Sequence, residues 1–363
     1  MPSPNRITVA CAGSGKTTGI ASEACANDKT RQALVTYTIN GARELREKVV
    51  EQHGYVPEHI EIFTWFTFLM RHFVRPYQRA MFDARPVRRL TWVNRQSTRG
   101  IPKSATERFY FSSSTGIYSD KVSQFACDVI SAAKNAPLDR IAEIYGSIHI
   151  DEAQDLAGYD LDLVELLLRS SINLSLVGDV RQGTYKTNQS ARNKQYSGAA
   201  IVGKFEEWKN AKLCTLDYSS VSHRCVQLIC DIADQLYPNL PSSTSKNETV
   251  TGHEGVYAVR ESDVPTYFAK YAPQPLRLDA KTKTNLDGVL NYGAAKGMTF
   301  ERTLLFPHGG FRKAVLVGDF AALGDAALTI AKVYVGLTRA RQSVAIVLPD
   351  NLQPKLVPIW QPD

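Results

Sequence analysis

The sequence lacks the features of a secreted or membrane-inserted chain. Its N-terminus, MPSPNRITVA, has no apolar stretch long enough for a signal peptide. No run approaches the roughly 20 consecutive apolar residues that a membrane-spanning helix needs. Cysteine is scarce, and the six residues include no CxxC pair, which argues against a disulfide framework and against a zinc site. We therefore expect a soluble, cytoplasmic protein with reduced thiols and no membrane partner.

The sequence also lacks an internal repeat, and its excess of one charge is small. Its 363 residues suggest two or three domains. Hydrophobic residues make up 44% of the chain and charged residues 22%, which is enough apolar material for packed cores and argues against global disorder. The net charge of +7 favours a polyanionic partner, although many basic proteins bind no nucleic acid.

Short apolar stretches alternate with helical patterns along most of the chain. This alternation predicts an α/β fold with a largely parallel sheet, in which ligands bind at the carboxyl ends of the strands. The predicted strands are 7–10, 33–38, 59–64, 147–150, 174–177, 303–306 and 344–348, and the clearest helices are 15–25 and 42–51.

Two shifts in composition divide the chain. Segment 71–124 is rich in arginine and contains three prolines, so we interpret it as an insertion. Segment 238–252 is polar and predicts a surface loop, after which the α/β pattern returns. We therefore predict a first α/β domain formed by 1–70 and 125–205, an insertion subdomain at 71–124, and a second α/β domain at 206–363.

The strongest motif is a phosphate-binding loop, ACAGSGKT, at 10–17. It follows a predicted strand and opens a predicted helix, so backbone N–H groups and the helix N-terminus can surround phosphates. Lys16 would reach the β and γ phosphates of ATP, and the Thr17 hydroxyl would hold Mg²⁺. A glycine-rich turn without a ligand is the alternative. The predicted nucleotide contacts here are Ala12, Gly13, Ser14, Gly15, Lys16, Thr17 and Thr18.

Acidic and amide side chains follow two further strands. Asp151 and Glu152 end the strand 147–150, where Asp151 would support Mg²⁺ and Glu152 would act as the general base for hydrolysis. Gln182 follows the strand 174–177 and could sense the γ-phosphate. A solvated acidic loop is the alternative interpretation, but the phosphate loop upstream argues against it.

Eight segments together resemble the UvrD/Rep-like group of superfamily 1 helicases, and they occur in the order of that family. The resemblance covers most of the chain. The segments are ACAGSGKT at 10–17, TYTINGARELR at 36–46, TWFTF at 64–68, DEAQD at 151–155, GDVRQGTY at 178–185, SHRC at 222–225, GAAKGMTF at 293–300 and YVGLTRAR at 334–341.

The resemblance implies an ATP-driven motor built from two RecA-like P-loop domains with parallel sheets and a small helical insertion in the first. ATP and Mg²⁺ would bind in the cleft between the two lobes. Arg224 and Arg339 would act as arginine fingers, since a guanidinium stays charged and can meet two phosphate oxygens at once. The family motifs add His223, Lys296 and Gly297 to the nucleotide site.

The resemblance also implies 3′→5′ movement along single-stranded DNA. The expected strand contacts are Tyr37, Thr38, Asn40, Thr64, Trp65, Phe66 and Tyr185, which combine polar groups with aromatic rings that stack on bases. About 70 residues separate Arg224 from Gly293, which leaves no room for the large accessory subdomain of typical members. This compact form favours translocation over unwinding.

Other interpretations of the sequence stay open. An RNA-directed helicase would use the same motifs but would bind an RNA strand instead of DNA. A nucleotide-gated binding module would use ATP to regulate a partner, and the short accessory regions fit it. Compact relatives of the family work beside a nuclease, so a nuclease or another replication, repair or defence partner is a further expectation by analogy.

Overall fold

A computed structural model describes residues 5–112, 115–184, 190–324 and 326–362. Within them the chain divides into two compact units. The first unit comprises 5–9, 16–180 and 190–217, and the second comprises 10–15, 181–184 and 218–362. The boundary after residue 217 differs from the predicted domain boundary at 205, which falls inside a helix of the first unit, and the predicted domain limits stay a prediction.

The first unit is built on a six-stranded sheet in which β1, β2, β3, β6 and β7 are joined by parallel pairings. The strand order is β3-β2-β6-β7-β1-β8, so the chain crosses over between strands that are not consecutive. The strands are β1 Arg6–Ala10, β2 Gln32–Thr36, β3 Ile60–Thr64, β4 Arg89–Thr91, β5 Gly116–Tyr118, β6 Ser147–Ile150, β7 Asn173–Gly178 and β8 Thr215–Ser219, of which β4 and β5 form a separate pair.

Helices follow most strands of this sheet, as a parallel sheet requires. A buried cluster that includes Ile20, Leu34 and Leu45 joins the first two helices to the sheet. The helices are α1 Lys16–Ala26, α2 Ile39–His53, α3 Trp65–Leu69, α4 Arg75–Tyr77, α5 Thr106–Tyr110, α6 Val122–Ala132, α7 Ala136–Ile144, α8 Tyr159–Leu168 and α9 Ile201–Asn210.

The insertion at 71–124 contains short helices and a small sheet. Helices α4 and α5 have three and five residues, and β4 pairs with β5 in parallel. A π-helical segment, Met70–Val74, leads into the insertion from α3. The insertion is therefore small, as predicted, but it contains a two-stranded sheet as well as helices.

The second unit has a five-stranded sheet in which every described pairing is parallel, with strand order β11-β15-β14-β12-β13. The elements are β9 Val221–Ser222, α10 Gln227–Asp234, β10 Thr244–Ser245, β11 Gly255–Arg260, α11 Val264–Tyr271, β12 Gln274–Arg277, β13 Leu290–Asn291, β14 Phe300–Phe306, α12 Gly309–Val317, α13 Ala327–Leu337 and β15 Ala340–Leu348.

Alternate residues of β15 serve two separate cores of the second unit. Val344 and Ile346 belong to the larger core, whereas Ala345 and Val347 belong to a smaller one that also contains Tyr267 of α11. Successive side chains of a strand point to opposite faces, so both faces of this sheet are covered. The predicted fold class, α/β with two domains of parallel sheet, is confirmed.

None of the described helices is long and apolar enough to cross a membrane. None of the six cysteines forms a disulfide.

Candidate nucleotide and nucleic-acid site

The phosphate loop joins β1 to α1, which is the strand–loop–helix context that the motif predicts. Gly13 and Gly15 have φ of +75° and +77°, in the left-handed region that glycine adopts at little cost. A Cβ atom on Gly13 would lie 2.5 Å from the Arg224 Cβ. Gly13 is therefore required both by its backbone conformation and by this close approach.

The loop is held by residues of the second unit, to which 10–15 belongs. The Cys11 N–H donates to the Ser219 carbonyl at 2.9 Å, and the Ala12 N–H donates to the Tyr334 hydroxyl at 3.3 Å. The Gly13 carbonyl accepts the His223 N–H at 2.8 Å. These bonds fix the path of the backbone before any ligand binds.

One polar group of the loop has no partner in the described part of the chain. The Ser14 hydroxyl oxygen is buried and makes no hydrogen bond there. A buried hydroxyl without a partner is costly, and a phosphate oxygen would satisfy it. This orphaned atom supports the prediction that the loop holds phosphate.

In the first unit, the helix start and the acidic strand end meet. The Thr17 hydroxyl donates to Asp151 Oδ2 at 2.8 Å, and the Glu152 N–H donates to Asp151 Oδ1 at 2.8 Å. Burial, and then the neighbouring Glu152 carboxylate, raise the pKa of Asp151 to about 6, whereas Lys16 and the Thr17 hydrogen bond oppose that rise. The residues predicted for ATP and Mg²⁺ are thus in contact.

Glu152 has a strained backbone. Its φ of +56° lies in the left-handed region, which is uncommon for residues other than glycine and occurs often at functional sites. The Gln154 side-chain amide donates to the Glu152 carboxylate. A Cβ on Gly178 would lie 2.3 Å from Gln154 Oε1, so the glycine that ends β7 lets this amide approach. The carboxylate predicted as the base is therefore oriented by its neighbours.

The donor set at this point suits Mg²⁺. A threonine hydroxyl and a carboxylate are hard oxygen ligands, and Mg²⁺ is commonly held by one or two such groups together with substrate phosphates. The described residues contain no group of three or more His, Cys, Asp or Glu that could hold a metal unaided. The fit is therefore to a cation that arrives with a nucleotide.

Arg339 and Gln182 lie together. Arg339 is 1% exposed. Each of its three guanidinium nitrogens donates a hydrogen bond of 3.2 Å: Nε to the Val335 carbonyl, Nη1 to the Met298 carbonyl and Nη2 to Gln182 Oε1. The predicted γ-phosphate sensor and one predicted arginine finger therefore share a hydrogen bond.

Arg224 is the other predicted finger. Its Nη1 donates to the Thr338 carbonyl at 3.2 Å, and its Cβ lies against Gly13. His223, beside it, is exposed, and its N–H bonds to the loop. Arg224 and His223 therefore adjoin the phosphate loop, as their predicted roles require.

Lys296 and Gly297 lie in the turn between β13 and β14. Gly297 has φ of +86°, and the Lys296 N–H donates to the Gly293 carbonyl at 3.3 Å. The next residue, Met298, accepts a hydrogen bond from Arg339. This turn is thus tied to one of the arginines, but the structure gives neither Lys296 nor Gly297 a role of its own.

The predicted strand contacts cluster at the carboxyl ends of β2 and β3. Tyr37 is half-buried, and Thr38 and Asn40 are exposed. Thr38 caps α2 by accepting the Gly41 N–H at 2.9 Å. Thr64 caps α3 by accepting the Thr67 N–H at 3.3 Å. These adjacent strand ends form one polar edge, so the four residues stay candidates for strand contact.

The aromatic candidates differ in exposure. Trp65 is 1% exposed, and its indole N–H donates to Asp160 Oδ1 at 2.8 Å, so it has no ring face for a base. We therefore do not include it in the proposed strand groove. Phe66 is 8% exposed, and its ring contacts that of Tyr37. Tyr185 lies outside the described residues.

Tyr334 was not singled out from the sequence, yet its hydroxyl contacts the phosphate loop at Ala12. The Arg181 guanidinium lies 5.9 Å from its ring centroid. Tyr334 is the first residue of YVGLTRAR, so the motif contained the signal. The arginines of that motif carry a charge that suits phosphate, whereas the neutral tyrosine gives no such indication.

Residues 117–199 match the family described as UvrD/REP helicase N-terminal domain. This segment includes the acidic strand end, Asp151 and Glu152. The resemblance to UvrD/Rep-like helicases is thereby confirmed for this segment. A search of curated protein sequences gave no match.

Three solved helicase structures are similar in fold at 15% identity. The helicase of PRRSV aligns over 97% of this chain and 56% of its own, with a TM-score of 0.47. The arterivirus nonstructural protein 10 helicase aligns over 95% of this chain and 60% of its own, with a TM-score of 0.44. The structure of such a helicase in complex with DNA aligns over 96% of this chain and 62% of its own, with a TM-score of 0.46. The chain thus spans about three-fifths of the length of these helicases.

Proposed function

We propose that this chain is an ATP-dependent, single-stranded DNA translocase of the helicase type that moves 3′→5′. The observation that supports it most is the hydrogen bond between Thr17 of the phosphate loop and Asp151 at the end of β6. These groups are 134 residues apart in sequence and belong to the two motifs that ATP hydrolysis needs.

In the proposed reaction, Lys16 binds the β and γ phosphates, and the N-terminus of α1 adds positive potential. Glu152 accepts a proton from the attacking water, whose oxygen bonds to the γ-phosphorus while the bond to the ADP oxygen breaks. Thr17 and Asp151 would hold Mg²⁺, which would supply positive charge against the phosphates. Arg224 and Arg339 stabilise the charge that develops in the transition state, and Gln182 senses the γ-phosphate.

We further propose that the motor has two conformational states, and that the presence or absence of the γ-phosphate decides which of them is favoured. Arginines that bind the γ-phosphate favour one of those states only while that phosphate is present, so hydrolysis shifts the equilibrium between them. The strand is bound by Tyr37, Thr38, Asn40, Thr64, Phe66 and Tyr185. Binding to the phosphate backbone supplies most of the affinity and makes it fall with salt.

The decisive test measures ATP hydrolysis without nucleic acid and with single-stranded DNA, single-stranded RNA or duplex DNA. We expect single-stranded DNA to stimulate turnover most. ATP binding without strand-stimulated hydrolysis would identify a nucleotide-gated binding module instead. Stronger stimulation by RNA would identify an RNA-directed helicase.

Direction is measured separately on oligonucleotides blocked by streptavidin. A motor that moves 3′→5′ should displace streptavidin from a 5′-biotin but not from a 3′-biotin. The reverse pattern would contradict the proposed direction while leaving translocation intact. A nuclease partner and a cytoplasmic location remain predictions, which co-purification and cell fractionation would test.

A further inference from the structure

Trp92 differs from the other three tryptophans of the chain. Trp65, Trp208 and Trp360 are 1%, 1% and 7% exposed, whereas Trp92 is 70% exposed. A single exposed apolar residue is common on protein surfaces and carries no meaning alone. The inference therefore depends on what surrounds this indole.

Trp92 ends a row of aromatic rings. Its ring centroid lies 5.1 Å from that of Phe66, with the ring planes 86° apart. The Phe66 centroid lies 5.5 Å from that of Tyr37, with the planes 67° apart. The row therefore joins the insertion to the polar edge formed by the carboxyl ends of β2 and β3, where the proposed strand contacts lie.

The backbone on both sides of Trp92 is fixed. Thr91 belongs to β4 and pairs with Tyr118 of β5. The Val93 N–H donates to the Ser119 hydroxyl at 3.1 Å. An exposed ring on an ordered backbone is preorganised for binding, because little freedom is lost when a ligand arrives.

The net positive charge of the chain is concentrated in the insertion. Segment 71–124 has eleven Lys and Arg against three Asp and Glu, a net charge of +8, whereas the whole chain has +7. The rest of the chain is therefore close to neutral, at −1. Arg88, Arg89, Arg95 and Arg99, which flank Trp92 in sequence, are all exposed.

An exposed aromatic ring among arginines is the combination that binds single-stranded nucleic acid. Bases stack on the ring, while the cations neutralise backbone phosphates. A surface that docks an ordinary protein partner is instead depleted of charge around its apolar centre. The charge of this segment therefore favours a nucleic-acid strand over a protein.

We propose that Trp92 stacks on a base of the bound strand, and that the basic insertion extends the strand path beyond the ends of β2 and β3. The proposal rests on the proposed function, because it needs a strand to bind. It adds a binding residue that none of the helicase motifs contains.

Quenching of the intrinsic tryptophan fluorescence by a bound strand reports on Trp92 almost selectively, because the other three tryptophans are buried. Oligo(dT) should quench the accessible part of the emission, and that part should be absent from Trp92→Phe. In parallel, fluorescence anisotropy of a labelled oligonucleotide measures affinity. Trp92→Ala should bind about 5- to 150-fold more weakly, which is the range for removal of one stacking residue. Trp92→Phe should recover most of that affinity.

Two controls separate stacking from other effects. Tyr55, which is 62% exposed in the same unit, provides a matched variant, Tyr55→Ala, that should bind as the wild type does. An abasic strand of equal length should bind the wild type and Trp92→Ala within about twofold of each other, because it has phosphates but no bases. Thermal unfolding of each variant shows whether it is folded.

The outcomes distinguish the two proposals. If the wild type binds no strand at all, the proposed function fails and the stacking role fails with it. If the wild type binds the strand but its emission is unchanged and folded Trp92→Ala binds equally well, only the stacking role is overturned. That result would leave a protein partner as the explanation for the exposed indole. An equal decrease in affinity on the abasic strand would also overturn it.

Discussion

The phosphate loop and the insertion contrast in how they can bind a phosphorylated ligand. The loop is short and partly buried, and its backbone is fixed by hydrogen bonds from Cys11 and Ala12. The insertion is basic and exposes eight arginines and one tryptophan. The loop can thus hold the phosphates of one small ligand, whereas the insertion offers a surface on which a long strand can lie.

This contrast has a consequence for mutation. In a site formed by backbone and one or two charges, a single change should remove most of the activity. On a surface where many charges share the binding, a single change should give a graded and salt-dependent decrease in affinity.

Lys16→Ala should reduce ATP hydrolysis by about 10³-fold or to background, because it removes the charge that meets the transferred phosphate. Steady-state ATPase assays with single-stranded DNA measure the effect. Lys29→Ala, an exposed lysine beyond α1, is the matched control and should behave as the wild type. Strand-stimulated turnover retained by Lys16→Ala would refute the phosphate-site assignment.

Arg339→Ala should lower turnover by about 10³-fold, as for other arginine fingers, and leave ATP binding largely intact. The structure adds a second effect, because the four acceptors of its guanidinium would be left without this donor, at a cost of about 1–3 kcal/mol in stability. Turnover, ATP affinity and thermal unfolding should be measured together. Arg341→Ala, an exposed neighbour, should change none of them. Unchanged turnover would remove Arg339 from the site.

Gly13→Ala and Gly15→Ala test the shape of the loop. Both residues have a left-handed φ, but only the Gly13 Cβ would meet another atom, at 2.5 Å from the Arg224 Cβ. Gly15→Ala should cost about 1–2 kcal/mol of unfolding free energy, and Gly13→Ala clearly more. Chemical denaturation measures both. Equal costs would mean that Arg224 does not approach the loop as closely as described.

Arg88→Ala and Arg95→Ala should weaken strand binding modestly and in a salt-dependent manner. The slope of log affinity against log salt should fall by about 0.7 for each phosphate of a single strand that the variant no longer neutralises. Arg79→Ala is the control in the same segment, since Arg79 is exposed and pairs with Asp83 at 3.0 Å. An unchanged slope in both test variants would place the strand away from these arginines.

His72 should make the first unit sensitive to mild acid. Burial, and then Arg71 and Arg140, lower the pKa of His72 to about 4. Between about pH 6.5 and 4 the unfolded chain therefore binds a proton that the folded chain does not, and stability falls as the pH falls through this window. We expect stability to decrease by about 2 kcal/mol by about pH 5. Denaturation of His72→Gln at about pH 7.5 and 5 should show a smaller decrease, and an equal decrease would exclude His72 as the cause.

Local sequence predicted the regular elements well, because their signals are local. The predicted strand 147–150 coincides with β6, and Thr38 and Gly54, which end the helix α2, are residue types that favour helix caps. The strand predicted from 303 begins at Phe300 instead, where pairing with Ala340 of β15 extends it. The pairing of Arg89 with Gly116 in the insertion joins residues far apart, so no local pattern indicated that small sheet.

The candidate site divides in the same way. The phosphate loop and the acidic strand end were predictable because a tight turn, a helix start and a strand end each need particular residues at fixed spacing. The exposure of the aromatic residues was not predictable, because Trp65 and Phe66 are neighbours in one aromatic segment but have different surroundings in the fold. Asp160 binds the Trp65 indole from 95 positions away, and only the folded chain reveals it.

The sequence by itself determined the chemistry that this protein can offer, through Lys16, Thr17, Asp151, Glu152 and the order of eight motifs. The tertiary structure decided which side chains are accessible, since it buried Trp65 and left Trp92 exposed at the edge of a basic insertion. The physical reason is that backbone geometry and hydrogen-bonding type are properties of a residue and its neighbours, whereas burial depends on packing between residues far apart in the chain.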